Sequence, residues 1–250
     1  MTQNTYTPIQ DGMDKRVKFV RYTEAKPPPD LAQFVHCFWE LKTENLLAED
    51  FQLHAVPDAC VNILFNQLDT DIADITALRT TFEVLNLGKT FHYVGIQLLP
   101  GVWQGNPNEI ADSFVGTPYA GDLPLIKTSQ DLAGLTFPEK QFVMTNLVKQ
   151  LVTEKVIVAN PYTAKILSQF DEVKTVTDMA RIADLSPRQL QRTLKRLTGL
   201  SPHDFLKVLR LQHSFKTDYL ASYFDQSHYI HSFKKITGYT PMRYAEKFDV

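Results

Sequence analysis

A short segment occurs twice in this chain, as "LKRLTGLSP" at 194–202 and as "FKKITGYTP" at 233–241. Each copy runs through apolar and basic residues to a glycine, and a Ser-Pro or Thr-Pro pair follows. Glycine tolerates the positive φ of a helix C-terminus, and Ser-Pro or Thr-Pro is typical of an N-cap followed by a first helical turn. Each copy therefore predicts one helix that ends at Gly199 or Gly238 and another that begins directly afterwards.

The first helix of each copy is predicted to be amphipathic and capped. Extended backward, the copies align without a gap over 186–202 and 225–241, and each begins with an N-cap oxygen, from Ser186 or Asp225. Apolar residues then fall at i, i+4 and i+7, which buries one face of a helix. These positions are Leu190, Leu194 and Leu197 in the first copy, and Tyr229, Phe233 and Ile236 in the second.

The opposite face of the first helix is cationic. At about 100° per residue, Arg188, Arg192 and Lys195 lie away from the leucines, and Gln191 and Arg196 flank them. On an isolated helix this pattern is typical of a solvated surface. Arginine and glutamine can also bond base edges bidentately in the major groove of DNA, and marginal lysines and arginines can meet phosphates.

A preceding helix favours the DNA interpretation. In "TVTDMARIADLS" at 175–186, small and apolar residues recur at helical spacing, and Asp184-Leu185 forms a tight turn into Ser186. Two short helices joined by such a turn, with arginine and glutamine outward on the second, match a helix-turn-helix. The repeat therefore predicts two such units.

These motifs resemble the DNA-binding domain of AraC/XylS-type bacterial transcription regulators. The resemblance rests on "LSPRQLQRTLKRLTGLSPHDFLKVLRLQ" at 185–212 and "DQSHYIHSFKKITGYTPMRY" at 225–244. It implies two helix-turn-helix units, joined by a helix, that enter successive major grooves of promoter or operator DNA. The implied base-facing residues are Arg188, Gln191, Arg192 and Lys195, then Ser227, His228 and His231 in the second unit. The implied phosphate contacts are Lys174, Arg196, Lys234 and the helix N-termini at Ser186 and Ser201.

Three positions depart from the family pattern. Asp184 stands where glycine is usual in the turn, and aspartate tolerates left-handed backbone at small cost. His231 replaces the arginine that is usual in the second recognition helix. The stretch 211–224 is about three helical turns shorter than usual, so the second unit is predicted to be shortened.

The front of the chain is predicted to be β-rich. Short runs of Val, Ile, Phe, Tyr and Trp are separated by Pro, Asp, Asn and Gly, as expected for an antiparallel barrel or sandwich. These runs are 16–22, 31–42, 60–65, 82–87 and 91–99. The pieces "LAQFVHCFWEL", "VPDACVNILFN" and "VGIQLLPGVWQG" resemble the cupin-like sensor domain of one branch of the same family, which implies an effector or a regulatory contact.

These patterns give an α+β chain in three parts. We expect a β-rich sensor at 1–125, a helical connector at 126–170 and a double helix-turn-helix at 171–250. The connector includes a helix with Phe142, Asn146, Leu147 and Leu151 on or near its apolar stripe. Residues 171–250 carry 13 Lys and Arg against 9 Asp and Glu, and residues 1–170 carry 13 against 19, so the two halves have opposite charge.

Other functions find less support. We expect no cofactor and no metal, because His36, His54 and His92 form no His-x-His pair with a nearby glutamate. The chain has no G-x-S-x-G elbow and no phosphate-binding glycine loop, so we expect no enzyme. The strand aromatics Phe38, Trp39, Phe91, Tyr93 and Trp103 fit a core better than a ligand pocket.

The predicted setting is the cytoplasm. Two cysteines, no secretion signal and no run long enough for a membrane span agree with this expectation. The expected partners are double-stranded DNA, a small-molecule effector, a second copy of the chain, and RNA polymerase if the protein activates. The alternative is a ligand-binding or protein-interaction regulator that has lost specific DNA reading through the shortened second unit.

Overall fold

The computed structural model describes residues 6–76, 78–111, 116–217, 223 and 225–249. Strands dominate up to residue 111, and helices follow from residue 125 to residue 247. The predicted α+β class, with a β-rich front region and a helical back region, is confirmed.

The front region contains a six-stranded sheet in the order β2-β3-β8-β5-β6-β9 and a separate β4-β7 pair. The pairs are antiparallel, as predicted, except that β6 and β9 run parallel. The strands are β1 Met13–Asp14, β2 Val20–Ala25, β3 Val35–Thr43, β4 Gln52–Ala55, β5 Asn62–Asn66, β6 Ala73–Thr76, β7 Glu83–Asn86, β8 His92–Leu98 and β9 Ile110–Ala111. The predicted runs coincide in part with β2, β3, β5, β7 and β8, whereas β4 and β6 fall outside them.

The six-stranded sheet is covered on both faces. Alternation along β3 places Phe38 on one face, where helices α1 Leu125–Leu132 and α2 Phe137–Thr153 pack. Trp39 and Leu41 lie on the other face, against the β4-β7 pair. The five aromatic residues assigned to a core are all buried, and Phe38, Trp39 and Tyr93 lie on strands: the set is Phe38, Trp39, Phe91, Tyr93 and Trp103.

The apolar stripe of α2 differs in part from the prediction. Met144, Leu147, Val148 and Leu151 are buried, whereas Phe142 is 70% exposed. The stripe is thus offset from Phe142, because the sheet covers the side of α2 that carries Met144 and Val148.

A buried ionic network joins α2 to the sheet. Lys140 Nζ lies 3.0 Å from Glu40 Oε1, and both side chains are at most 4% exposed. Lys42 Nζ bonds the other carboxylate oxygen of Glu40 at 2.7 Å, and His92 Nε2 lies 2.8 Å from Glu40 Oε1. Because all members have partners, the network satisfies charges that would be costly to bury alone.

The back region contains α3 Pro161–Ser168, α4 Val176–Ile182, α5 Pro187–Thr198, α6 Pro202–Ser214, α7 Gln226–Thr237 and α8 Pro241–Lys247. Two apolar clusters hold these helices. Helices α3 to α6 share one cluster, and α6, α7 and α8 share the other. Helix α6 therefore connects the two units, through Leu206 and Leu209 on one side and Leu211 on the other.

The back helices pack on the front region. Ala59 and Cys60 belong to the cluster of α3 to α6, and Val56 belongs to the cluster of α7 and α8. The strand β10, Phe248–Asp249, pairs with β1. Helices α1 and α2 share an apolar cluster with the sheet, whereas α3 shares a cluster with the back helices.

Both cysteines are free and buried. Among the described helices, none is long and apolar enough to cross a membrane.

Candidate nucleic-acid interface

The first candidate unit is α4, a short turn and α5. Helix α4 is capped by Thr175, whose side chain accepts a hydrogen bond from Asp178 N. Asp184 occupies the turn with φ 54°, which is the left-handed geometry expected at this position. Met179 and Ala180 of α4 pack in one cluster with Leu190 and Leu194 of α5. This packing fixes which face of α5 points away from the protein.

Local hydrogen bonds set both ends of α5. Ser186 Oγ accepts from Gln189 N at 3.3 Å, and Gln189 Oε1 accepts from Ser186 N at 2.9 Å, which completes a capping box. At the other end Gly199 adopts φ 70°. The predicted bounds and caps of this helix are therefore confirmed.

The predicted cationic face of α5 is open to solvent. Arg188, Gln191, Arg192, Lys195 and Arg196 are all exposed, and the helix contains no acidic residue. Across the described part of the chain, no acidic side chain forms an ion pair with any of these arginines. Guanidinium groups that are exposed and have no acidic partner are available to bind a polyanion.

Lys195 differs from the other cations of this face. Its Nζ donates to the carbonyl oxygen of Gly199 at 2.6 Å, so it satisfies a carbonyl at the end of its own helix. A base contact from Lys195 requires that this bond break.

The two N-termini predicted to meet phosphate have different surroundings. Ser186 is exposed and its capping partner is the neutral Gln189. Ser201 donates to Asp204 Oδ2 at 2.6 Å and accepts from Asp204 N at 3.2 Å. The hydrogen bond from Ser201 lowers the pKa of Asp204, with a smaller contribution from Lys207 against the effect of burial. This ionised carboxylate opposes a phosphate at Ser201.

Lys174 is exposed just before α4. Its backbone N–H donates to Asp178 Oδ2 at 3.1 Å, and its carbonyl oxygen accepts from Arg210 Nη2 at 2.5 Å. The backbone of Lys174 is therefore fixed to α4 and α6, next to the N-terminus of the unit.

The second candidate unit centres on α7. Asp225 caps it by accepting from His228 N at 2.7 Å, and Gly238 ends it with φ 80°. Phe233 and Ile236 are buried and Tyr229 is half-buried, as the apolar spacing predicts. The predicted contact residues Ser227, His228, His231 and Lys234 are all exposed.

Part of the shortened stretch lies outside the described residues. Helix α6 ends at Ser214, and the chain beyond Thr217 is described only at Tyr223 before Asp225. The prediction that the second unit is shortened depends on this stretch and stays a prediction.

The sequence alone gave no sign of an aromatic junction under the second unit. The His54 ring of β4 stacks on Phe82 at 4.8 Å and on Phe248 at 4.7 Å, between ring centroids. Tyr239 and Tyr244 meet the same ring edge-on, at 5.5 and 5.4 Å. Because these aromatic residues lie far apart in the chain, no local sequence pattern predicts that they meet.

Metal-ligand types meet at one place among the described residues. Glu24, His36 and Cys37 each offer an atom within 4.8 Å of the others, at a β-bulge between Val35 and Cys37. Burial, assisted by Lys216 and Lys26, lowers the pKa of His36 to about 4. The nearby ammonium groups disfavour a bound cation there.

Residues 23–114 match a family described only as a domain of unknown function, DUF6597. Among solved structures, ToxT from Vibrio cholerae matches with 9% sequence identity and a TM-score of 0.37. That alignment covers 90% of this chain and 96% of that chain. No curated protein matches the chain. The family match spans β3 to β9 and does not include the back helices.

Proposed function

We propose that this chain is a sequence-specific DNA-binding transcription regulator of the AraC/XylS type. The observation that carries the proposal is α5: a helix without acidic residues, capped at both ends, with Arg188, Gln191 and Arg192 exposed opposite buried leucines. A helix of this kind fits the major groove, where arginine and glutamine read base edges.

The roles of the contact residues follow from their places. Arg188, Gln191 and Arg192 read bases, and Lys195 joins them when it leaves the Gly199 carbonyl. Lys174, Arg196, Lys234 and the N-terminus at Ser186 meet phosphates. Ser201 contributes least, because Asp204 bonds it.

The second unit reads DNA through Ser227, His228 and His231. Neutral histidine contributes less electrostatic attraction than arginine, so we assign most of the affinity to α5.

The front region controls the back region in this proposal. We assign 1–125 to the regulatory part, 126–170 to a connector and 171–250 to DNA binding. Val56, Ala59 and Cys60 of the front region pack into the clusters of the back helices, which gives an effector or a second copy a route to them. RNA polymerase is a further partner if the protein activates transcription.

Recovery of bound fragments from the genomic DNA of the source organism tests the proposal. We expect one enriched motif, bound by the purified protein with an affinity that falls steeply as salt rises. A motif confined to one major groove would assign reading to α5 alone, and motifs in two successive grooves would include α7. Absence of saturable, salt-sensitive binding would contradict the proposal.

The alternative is a ligand-binding or protein-interaction regulator without specific DNA reading. The observation that favours it is the exposed face of α7, where His231 stands at the position at which the AraC/XylS pattern usually has arginine. The same experiment separates the two, because the alternative predicts no enriched motif.

A further inference from the structure

A cavity of about 60 Å³ lies inside the front region. Its walls come from the segment before β1, from strands on the β4-β7 side of the sheet, and from the turn after β4. One enclosed water needs about 10–15 Å³ of such space, so the cavity fits a ligand of roughly four to six non-hydrogen atoms.

The charged groups that line the cavity are unbalanced. Asp11, Asp58 and Arg79 all line it. The Nε of Arg79 already bonds Glu83 Oε2 at 2.7 Å, and this pair is partly exposed. Two carboxyl groups therefore share the cavity with one arginine that has its own acidic partner, so the cavity is negative when both carboxyls are ionised and then disfavours an anionic ligand.

The two carboxylates accept few hydrogen bonds, although both are enclosed by the protein. Asp58 accepts from Cys60 N and from Gln97 Nε2, at 2.9 and 2.6 Å. Within the described residues, Asp11 accepts only from Val56 N, at 2.9 Å. Burial raises the pKa of Asp11 to about 7 and that of Asp58 to about 6. A ligand with positive charge would stabilise both carboxylates in their ionised form.

An aromatic wall completes the cavity. The indole of Trp39 lines it, and its Nε1 donates to Asn62 Oδ1 at 3.0 Å. A Cβ placed on Gly95 would lie 2.3 Å from the Trp39 ring, so the ring rests closely on that backbone. A fixed indole attracts a neighbouring cation through its π-face.

We propose that this cavity binds a small organic cation, a primary ammonium compound held by Asp11 and Asp58 beside Trp39, and that Gln212 transmits its binding to α6. The second half of the proposal rests on the proposed function, because α6 connects the two DNA-binding units. The first half is independent of it.

Gln212 is the link between the cavity and α6. It is 1% exposed, its Oε1 accepts from Ile9 N at 2.8 Å, and its Nε2 donates to the Pro57 carbonyl at 2.7 Å. Ile9 lines the cavity, and Pro57 directly precedes Asp58. A ligand that binds Asp58 therefore acts on the backbone at Pro57, to which Gln212 of α6 is hydrogen-bonded.

The turn 56–60 spreads this effect to both units. Val56 packs with α7 and α8, and Ala59 and Cys60 pack with α4 and α5. Between them Asp58 faces the cavity. One turn thus lines the cavity through Asp58 and belongs to the apolar clusters of both candidate units.

The binding test uses n-propylammonium as the probe, with 1-propanol and propionate as neutral and anionic matches of similar size. The readout is Trp39 fluorescence in the Trp103→Phe variant, which leaves one indole. We expect saturable binding of n-propylammonium that tightens from pH 5.5 to pH 8, as the carboxylates ionise, and at least tenfold weaker binding of the other two probes. Equal binding of propanol or propionate, or no binding of the amine, would overturn the cation site.

Asp58→Asn and Asp11→Asn should each weaken amine binding at least tenfold and flatten its pH dependence. Asp131→Asn, at an exposed position on α1, is the matched control and should bind as wild type. Unaltered affinity in both cavity variants would contradict the assignment, provided that circular dichroism shows them folded.

Transmission is tested by hydrogen exchange and by DNA binding. Addition of the amine should change the exchange of amides in 56–60 and α6, and the Gln212→Met variant should bind the amine but lose the change in α6. DNA affinity should respond to the amine in wild type and not in this variant. If the amine binds and shifts exchange but no DNA is bound, the proposed function fails and the cation site stands. If DNA is bound but exchange in α6 never moves, transmission through Gln212 is wrong.

Discussion

The backbone N–H of Phe82, just before β7, donates a 2.8 Å hydrogen bond to the carbonyl oxygen of Ile236 in the last turn of α7. The Phe82 ring also lies against Gly238, where an added Cβ would come within 2.8 Å of it. The second unit is therefore attached to the front region at the C-terminal end of α7. The exposed residues at its N-terminal end, Ser227 and His228, remain accessible.

The two helix-ending glycines should respond differently to substitution by alanine. Both have positive φ, but a Cβ on Gly199 meets nothing within 4 Å. We expect Gly199→Ala to lower the free energy of unfolding by about 1–2 kcal/mol, and Gly238→Ala by about 2–4 kcal/mol, because the clash with Phe82 is added. Urea unfolding of both variants measures this difference. Equal losses in the free energy of unfolding would show that the Phe82 ring moves aside without cost and contradict the expected difference.

His54 should make the junction sensitive to acid. Burial lowers the pKa of His54 to about 4, whereas a free histidine titrates near pH 6.5. The unfolded chain then binds more protons between these values, so the contribution of His54 to stability is full above about pH 6.5 and is lost as pH falls toward 4. We expect a loss of about 1–2 kcal/mol between pH 7 and pH 5.

The His54→Phe variant should lack this loss. Asp11 and Asp58 contribute a slope of opposite sign, because their folded-state pKa values are raised, so the quantity to compare is the difference between variant and wild type in urea unfolding at the two pH values. His203→Gln, at an exposed position on α6, is the control and should follow wild type. A His54→Phe slope identical to that of wild type would contradict the burial argument.

The network around Glu40 should be costly to break from one side. Lys140→Met leaves the buried carboxylate with Lys42 and His92, and we expect a loss of about 3 kcal/mol, the lower end for breaking a buried pair. Lys149→Met on the same helix removes an ion pair that is more than half exposed on both sides, and should cost under about 0.5 kcal/mol. Chemical denaturation compares the two variants. Similar losses would mean that burial of the Lys140 pair adds nothing.

Glu40 also predicts a second acid-sensitive range. Burial raises its pKa, but hydrogen bonds from Lys42, His92 and Lys140 outweigh that effect and lower the pKa to about 2. Its contribution to stability is present above about pH 4.5 and is lost as pH falls toward 2. Glu40→Gln, combined with Lys140→Met to avoid an unpaired lysine, should remove this dependence in acid-unfolding experiments.

Arg192 should decide promoter discrimination. Arg192→Ala should reduce discrimination between the recovered motif and a scrambled one by about 1–3 kcal/mol, as measured by competitive mobility shifts. Lys127→Ala removes an equal charge from α1, which packs in a different cluster, and should leave discrimination unchanged. Unaltered specificity in Arg192→Ala would count against α5 as the reading helix.

Much of the back region was predictable because its signals are local. The side-chain caps at Ser186, Ser201 and Asp225, the left-handed turn at Asp184 and the two glycine ends each depend on residues within a few positions, and these are found where the spacing places them. Thr240 stands at the N-cap of α8 without a side-chain cap hydrogen bond. The exposure of Arg188 and Arg192 follows from the same periodicity, since burial of leucines on one side fixes the other.

The strands were predictable only in part. Runs dense in β-branched and aromatic residues mark β3 and β8, whereas β4, "QLHA", has too few such residues to stand out. Its role depends on His54, whose aromatic neighbours come from residues 82, 239, 244 and 248. Phe142 likewise fits a helical stripe by spacing, yet the sheet covers a neighbouring side of α2.

The sequence by itself determined two capped helices, each closed by a glycine, and a cationic face that carries no acidic residue. The tertiary structure alone decided that Asp11 and Asp58 share one cavity, that Gln212 bonds its wall, and that the second unit rests on Phe82. The physical reason is range: caps and periodicity act within one or two helical turns, whereas these contacts join segments that only the completed packing brings together.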